Sequence, residues 1–179
     1  MAMIQNRGKL SLYFSLSLLC LVSLSTCGKD NNSDQQPSKA EENRKAVIAR
    51  IEGSWVGRRT YVSTVFTDYT YTFTSFAEPV RYNFGTGPGI INADGAMTLK
   101  MVTTPSSPSA DEANSRASYV FHVPLGSSLD DYSVEFWVYQ IEEGNTVYES
   151  TPDKVKFYPA TNILAYPLLS GYTLKLSKQ

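Results

Sequence analysis

Apolar and polar positions alternate along most of the chain after Gly53. The clearest example is "YTYTFT", residues 69 to 74, which has an aromatic ring at every odd position and a threonine at every even one. Because successive side chains of a β-strand point to opposite faces, this order predicts a strand with rings on one face and hydroxyls on the other. Helical periodicity is absent from this part of the chain, so the pattern predicts an all-β domain.

Eight to ten short strands are predicted, rich in Thr, Val, Tyr and Phe and separated by Gly, Pro, Asn and Asp. The strand segments are residues 54–62, 65–76, 80–84, 97–104, 117–123, 132–142, 146–149, 155–158, 163–166 and 172–176. Turns are predicted at 85–89, 92–95, 143–145 and 169–171, each of which contains Gly. Short connections imply that consecutive strands pair antiparallel as a meander.

The segment 1–27 is typical of a secretion signal, with Arg7 and Lys9 followed by an apolar stretch from Leu10 to Leu24. It ends in "LSTC", which resembles a bacterial lipobox, and this resemblance implies that Cys27 is acylated and the preceding peptide removed. The alternatives are an ordinary signal peptide or an uncleaved anchor. The following residues, "CGKDNNSD", are similar to the export signal of surface lipoproteins in Bacteroidetes, or else form a plain solvated tether. The predicted location is the outer membrane, on its periplasmic or cell-surface face.

Residues 28–44 are predicted to form a flexible polar tether, because they contain no aromatic side chain that could repay the cost of ordering. Residues 40–53 are compatible with one or two helical turns that end at Gly53. The segment 45–179 has the length of one domain with a single core. Cys20 and Cys27 both precede this domain, so it has no disulfide and depends on ordinary hydrophobic packing.

The charge of the segment after Cys27 argues against nucleic acid as a partner. This segment has 14 Lys plus Arg against 17 Asp plus Glu, a net charge of −3, and no basic run. Contact with a membrane is therefore predicted only through the N-terminal lipid.

A short motif favours a barrel over a sandwich. In "IEGSWVG", Gly53, Ser54 and Trp55 resemble the Gly-x-Trp that opens the first strand of lipocalins and other calycins. Over residues 45–179 the chain resembles the lipocalin-like lipoproteins of Bacteroidetes. The resemblance implies an antiparallel up-and-down barrel of about eight strands, in which Trp55 plugs the closed end. It also implies that a basic residue of the last strand, here Lys175, packs across the Trp ring.

The aromatic row of residues 69 to 74 is expected to face the barrel interior. Burying three rings removes about 450 to 600 Å² from water, which is about 11 to 15 kcal/mol before entropy. We therefore predict that Tyr69, Tyr71 and Phe73 are buried and that the three threonines are substantially exposed. Tyr82 and Phe84 are further candidates for interior, ligand-facing positions. So many large side chains predict a modest cavity near the open end.

The segment "VEFWVYQI", residues 134 to 141, is apolar on both faces. One face is expected to line the core. The other is either covered by the N-terminal segment or a loop, or is a surface for a partner.

The sequence offers no set of residues for catalysis. His122 is the only histidine and the domain has no cysteine, so we predict no metal site, no cofactor and no catalytic triad. The acidic pairs lie in predicted loops and are expected to be solvated. The polar segment 105–116, with Ser106, Asp111 and Glu112, is a candidate partner loop.

These features predict a binding protein rather than an enzyme. The favoured hypothesis is a lipid-anchored extracytoplasmic barrel that holds a small hydrophobic or amphipathic ligand. The alternative is a protein-binding module that inhibits a secreted peptidase, a use to which calycin-like barrels are also put. A cavity above about 300 Å³ favours the first hypothesis, whereas a filled barrel favours the second.

Overall fold

The computed structural model of the chain describes residues 37–85, 89–105, 118–142, 144–148, 151–168 and 171–179. These residues form one helix and nine strands. The elements are α1 (Lys39–Ile51), β1 (Gly53–Val62), β2 (Val65–Phe84), β3 (Ile90–Thr104), β4 (Ser118–His122), β5 (Val134–Ile141), β6 (Thr146–Val147), β7 (Asp153–Tyr158), β8 (Ile163–Pro167) and β9 (Thr173–Lys178).

Eight of the strands close into an antiparallel barrel. Going round the barrel the order is β1, β2, β3, β4, β5, β7, β8 and β9, and β1 closes the circle by pairing with β9. The two-residue strand β6 lies outside this circle and pairs with β2 and β5. The predicted all-β, up-and-down, eight-stranded barrel is confirmed, and it is consistent with a calycin-like fold.

The aromatic row of β2 faces the barrel interior, as predicted. Tyr69, Tyr71 and Phe73 are 6%, 1% and 1% exposed. Thr74 on the other face is exposed, whereas Thr70 and Thr72 are half-buried. Thr72 is less exposed than expected because its hydroxyl lies 3.2 Å from the hydroxyl of Ser54 on the neighbouring strand.

The β2–β3 hairpin is longer than the sequence suggests. The predicted strands 65–76 and 80–84 form one strand, β2, with an irregularity between Ser75 and Val80. The turn predicted at 92–95 is wrong, because these residues lie inside β3 and pair with β2. Gly95 is needed there for close approach: a Cβ atom at this position would lie 2.3 Å from both the Phe121 ring and the Thr74 carbonyl oxygen.

The far part of this hairpin covers the second apolar face of β5. Val138 lies in the barrel core, whereas its neighbour Tyr139 belongs to a separate cluster on the outer face of the barrel. This outer cluster comprises Tyr82, Ile91, Ala93, Val120, Tyr139 and Val147, with Phe76, Val80, Phe84, Trp137 and Ile141 packed against it. The prediction that Tyr82 and Phe84 line the interior is therefore wrong.

Helix α1 closes one end of the barrel. Val47 and Ile51 are fully buried in the barrel core beside Trp55. The Trp55 indole donates a hydrogen bond of 2.6 Å to the Ile51 carbonyl oxygen, so the helix end and the first strand are joined directly. Ser38 caps the helix through a hydrogen bond from the Glu41 amide. The helix is longer than the one or two turns expected, and residues 39–44, predicted as tether, lie within it.

A buried ion pair fixes α1 to the barrel wall. Arg44 Nη2 is hydrogen-bonded to Asp94 on β3, and Arg44 Nε donates to the Val123 carbonyl oxygen at 2.7 Å. The other Asp94 oxygen accepts from the Val123 amide at 2.7 Å. Glu41 accepts from the remaining guanidinium nitrogen at 3.1 Å. All three guanidinium nitrogens of Arg44 and both carboxylate oxygens of Asp94 thus have hydrogen-bond partners.

The basic residue over Trp55 is Lys178, not the predicted Lys175. Lys178 pairs with Trp55 across β1 and β9, and its ammonium lies 5.5 Å from the Trp ring centroid. It donates to the Arg50 carbonyl oxygen at 2.8 Å, near the end of α1. Lys175 is exposed, because its neighbours Leu174 and Leu176 occupy the inward positions of β9.

Candidate functional site

The barrel end away from α1 contains a cavity of about 350 Å³. Strand ends from around the barrel contribute to its wall. The lining residues are Arg59, Tyr69, Tyr71, Leu99, Met101, Tyr119, Asp153, Tyr166, Pro167 and Leu168. We call this cavity the mouth. Its size lies at the lower end of the range for small-molecule sites, as the sequence predicted for a barrel filled mostly by its own side chains.

Tyrosine rings form a column along one side of the mouth. Tyr71 and Tyr166 stack with their centroids 4.5 Å apart and their planes at 30°. Tyr69 continues the column, 6.3 Å from Tyr71 and nearly parallel to it at 11°. Because Tyr69 and Tyr71 are two residues apart on β2, the alternation of the strand places them side by side, and β8 supplies the third ring.

The phenols of this column stay protonated at neutral pH. Burial raises the pKa of Tyr71 well above the usual value, and the neighbouring phenols and Asp153 add to the increase. The pKa of Tyr166 is also raised, by burial and by Asp153, whose carboxylate accepts a hydrogen bond of 2.9 Å from the Tyr166 hydroxyl. Burial likewise raises the pKa of Tyr119. The mouth therefore presents neutral hydroxyl groups that donate and accept hydrogen bonds.

Arg59 brings a positive charge to the mouth on the β1 side. Its guanidinium lies 4.7 Å from the ring centroid of Tyr61 and 5.2 Å from that of Tyr172. The same guanidinium opposes the increase in the pKa of Tyr69, which burial and Tyr61 cause. Asp153, the acidic residue of the mouth, lies on β7, and β8 and β9 separate that strand from β1.

The residues predicted to face a ligand are thus divided among three places. Tyr69 and Tyr71 line the mouth, whereas Phe73 lies deeper and packs edge-on against Phe121 and Phe136 at 5.6 and 5.8 Å. Tyr82 and Phe84 lie in the outer cluster.

Other predicted residues do not contribute to the mouth. Gly53 and Trp55 belong to the closed end, and Lys175 is on the outer surface. The predicted lipidation residue Cys27 and the candidate partner residues Ser106, Asp111 and Glu112 lie outside the described residues.

Four polar residues of the mouth were not predicted from the sequence as site residues: Arg59, Tyr119, Asp153 and Tyr166. The alternation of apolar and polar positions could have shown that two of them point inward, since Tyr119 shares a face with the core residue Phe121, and Tyr166 with Leu164. It could not have shown the order of the strands around the barrel. That order brings the ends of β1, β4, β7 and β8 to one cavity.

Outside the mouth, the described residues form no cluster of side chains suited to metal binding, and the one histidine has a structural role. His122 Nδ1 lies 2.8 Å from the Asn92 carbonyl oxygen and 3.2 Å from Asp94, so the imidazole belongs to the network that fixes α1. In this part of the chain no group of three or more His, Cys, Asp or Glu side chains is placed to hold a metal ion. No helix among these residues has both the length and the apolar character to cross a membrane.

Comparisons of the chain with protein-family models, with curated proteins and with solved structures find no match. The mouth is therefore the feature of the molecule from which a function can be inferred.

Proposed function

We propose that this protein is a lipid-anchored extracytoplasmic binding protein whose barrel mouth holds one small hydrophobic or amphipathic molecule. The mouth cavity is the observation that carries the proposal. Its volume of about 350 Å³ is close to that of other clefts of the domain, at 320 to 340 Å³, so its lining by buried tyrosines and apolar side chains, not its size, distinguishes it. The role is binding rather than catalysis, because the mouth has phenols and two charged residues but no nucleophile with an adjacent base.

The composition of the wall supports an amphipathic ligand. Leu99, Met101 and Leu168 offer apolar contacts, while the tyrosines add flat apolar surface with hydroxyl groups at the edge. Ligand sites commonly have this combination of a mostly apolar wall and a few placed polar groups. Methionine suits such a site because its flexible thioether adapts to the shape of the bound molecule.

The proposed anchor is a lipid on Cys27, which would hold the barrel at the outer membrane through its N-terminal segment. Replacing Cys27 with serine is expected to release the protein from membrane fractions and to abolish incorporation of labelled fatty acid. A variant that still carries labelled lipid after this replacement would contradict the proposed anchor. That result would leave the binding proposal unaffected, since the mouth is formed by residues 59 to 168.

The rim of the mouth favours one alternative, a protein-binding module such as an inhibitor of a secreted peptidase. Tyr61, Val62 and Tyr172 are 50%, 58% and 45% exposed near Arg59. Tyrosine and arginine are enriched among the residues that dominate protein interfaces. Under this alternative a partner protein covers the rim and the cavity itself stays unused.

A matched pair of variants separates the two functions. Met101→Trp fills the mouth, whereas Lys100→Trp adds the same ring on the exposed outer face of β3. We expect native mass spectrometry of the protein purified from its own membranes to show a bound small molecule in the wild type and in Lys100→Trp. Met101→Trp should lack it. A protein partner that co-purifies with all three forms, with no small molecule in any, would support the alternative instead.

A further inference from the structure

Arg59 lines the mouth and takes part in no ion pair of the described residues; Arg50 and Arg81 also lack one, but their side chains are exposed on the outer surface. Arg58, the neighbour of Arg59 on β1, forms two hydrogen bonds of 2.6 and 2.8 Å with Asp68 on the outer surface. Arg44 is paired with Asp94 and Glu41. None of the ion pairs among the described residues includes Arg59, although it is only half-exposed.

Two aromatic rings hold the Arg59 side chain in place instead. A guanidinium that packs against the rings of Tyr61 and Tyr172 keeps its charge and most of its N–H donors while its freedom of movement is reduced. Such an arrangement leaves the planar donor group available to an anion, and arginine is the side chain best suited to carboxylate and phosphate geometry.

Asp153 does not cancel this charge at the β1 side of the mouth. Its carboxylate accepts the hydrogen bond from Tyr166, and its strand is separated from β1 by β8 and β9. A negative group of a ligand is therefore attracted to the side of the mouth formed by β1, where Arg59 lies, and repelled from the side formed by β7, where Asp153 lies.

The tyrosine column indicates what lies next to that negative group. Tyr69, the outermost ring of the column, lies on β2 beside β1, and it lines the same cavity as Arg59. Planar apolar groups stack well on such rings, and offset stacking adds about 0.5 to 1.5 kcal/mol to simple burial. Leu99 and Met101 complete the apolar surface next to the column.

We propose that the ligand of the mouth has a planar apolar body that stacks on the tyrosine column and one anionic group that binds Arg59. The anionic group is a carboxylate, sulfonate or phosphate. This inference rests on the proposed binding function and narrows it to a class of ligand.

Two fluorescent probes with nearly the same rings test this class. Anilinonaphthalene sulfonate has an aromatic body and a negative charge, whereas phenylnaphthylamine has the rings without the charge. Each is titrated into the full chain carrying Cys27→Ser, so that no attached lipid competes for the mouth. The wild type is compared with Arg59→Gln and with Arg58→Gln, which removes the adjacent outward-facing arginine and serves as the matched control.

We expect Arg59→Gln to weaken binding of the sulfonate probe about tenfold or more, as loss of a charge-assisted hydrogen bond implies. Binding of the neutral probe should change less than about twofold, and Arg58→Gln should affect neither probe. Circular dichroism and thermal unfolding of each variant check that the fold is retained.

Different results would contradict the proposed anionic ligand and the proposed binding function. Equal effects of Arg59→Gln on both probes, or no effect on either, would overturn the assignment of an anionic ligand while leaving the mouth as a binding site. Failure of both probes to bind the wild type, or binding that Met101→Trp does not reduce, would overturn the binding function as well.

Discussion

The two ends of the barrel differ in what their side chains do for the molecule. At the closed end Val47, Ile51 and Trp55 are fully buried, and Arg44 and Asp94 satisfy each other and the neighbouring backbone. At the mouth, by contrast, tyrosines, Arg59 and Asp153 surround space that the protein does not fill.

This difference separates stability from recognition. Filling a barrel end with a helix and a Trp gives dense contacts that any ligand would have to displace, so that end is unsuited to binding. Leaving the other end open forgoes those contacts but exposes groups that a ligand can contact. Substitutions at the closed end are therefore expected to change the free energy of unfolding, and those at the mouth to change binding.

The largest effect is expected at Trp55. Trp55→Ala removes the central ring of the closed end, its edge-on contact with Phe157 at 6.0 Å and its hydrogen bond to Ile51. The expected loss is about 3 to 5 kcal/mol in the free energy of unfolding, measured by urea denaturation. The corresponding change at the mouth, Met101→Ala, removes a half-buried side chain and should cost much less. Equal losses at the two positions would contradict the division described above.

Disrupting the buried ion pair should have the next largest effect. Asp94→Asn leaves Arg44 with one acidic partner among the described residues, Glu41, and that carboxylate is partly exposed. Leaving a buried charge poorly compensated is expected to cost about 3 kcal/mol. Amide hydrogen exchange should show the loss first in α1. Arg58→Gln at the exposed Arg58–Asp68 pair is the control, and it is expected to change the free energy of unfolding far less, because water screens this pair.

The buried tyrosines of the mouth should contribute to the response of the protein to alkaline pH. Because the pKa values of Tyr71 and Tyr166 are higher in the folded than in the unfolded chain, the folded state holds these protons more strongly. Their contribution is complete below about pH 10, the ordinary pKa of tyrosine, and is lost as pH rises above it. We expect each phenol to lower the free energy of unfolding by about 1 kcal/mol between about pH 10 and 11.

The double variant with Tyr71→Phe and Tyr166→Phe provides the check. It should lose about 2 kcal/mol less than the wild type over that interval of pH, as measured by denaturation at each pH. Thr72→Ala, which changes no phenol, is the control and should show the same pH dependence as the wild type. Identical pH dependence in the double variant and the wild type would show that these phenols do not titrate as the burial implies.

The smallest effect is expected on the outer face of β2. Thr72→Ala removes a hydroxyl that contacts Ser54 at 3.2 Å but leaves the aromatic row intact. The expected change is less than about 1 kcal/mol by urea denaturation. A loss as large as that of Trp55→Ala would mean that the threonine face, not the ring face, carries the packing of β2.

Much of the barrel was predictable because strand alternation and the Gly-x-Trp motif can both be seen in short stretches of sequence. The alternation of β2 placed three rings inside, and Gly53-Ser54-Trp55 marked the first strand and the closed end. The same alternation also determines which lysine reaches Trp55. Lys178 shares its face of β9 with the core residues Leu174 and Leu176, whereas Lys175 lies between them on the opposite face.

The remaining features depend on contacts between distant parts of the chain. "NADG" has the chemistry of a turn, yet Ala93 is fully buried in the outer cluster and Gly95 gives space to the Phe121 ring. Tyr82 and Phe84 share the face of Thr72 and Thr74 once β2 is continuous, but the sequence predicts 80–84 as a separate strand, which hides this alternation. No local pattern reports that the two segments form one strand, nor the meeting of Arg59 with Tyr166 in one cavity.

Fluorine NMR of the protein labelled with fluorotyrosine can show whether the mouth is the ligand site, since tyrosines lie both at the mouth and away from it. The phenylnaphthylamine probe is titrated into the labelled chain, and each resonance is assigned from a single Tyr→Phe variant. We expect the signals of Tyr69, Tyr71, Tyr119 and Tyr166 to shift on saturation, while those of Tyr82 and Tyr139 in the outer cluster do not. Shifts confined to Tyr82 and Tyr139, or a bound probe that moves none of the mouth signals, would contradict this expectation.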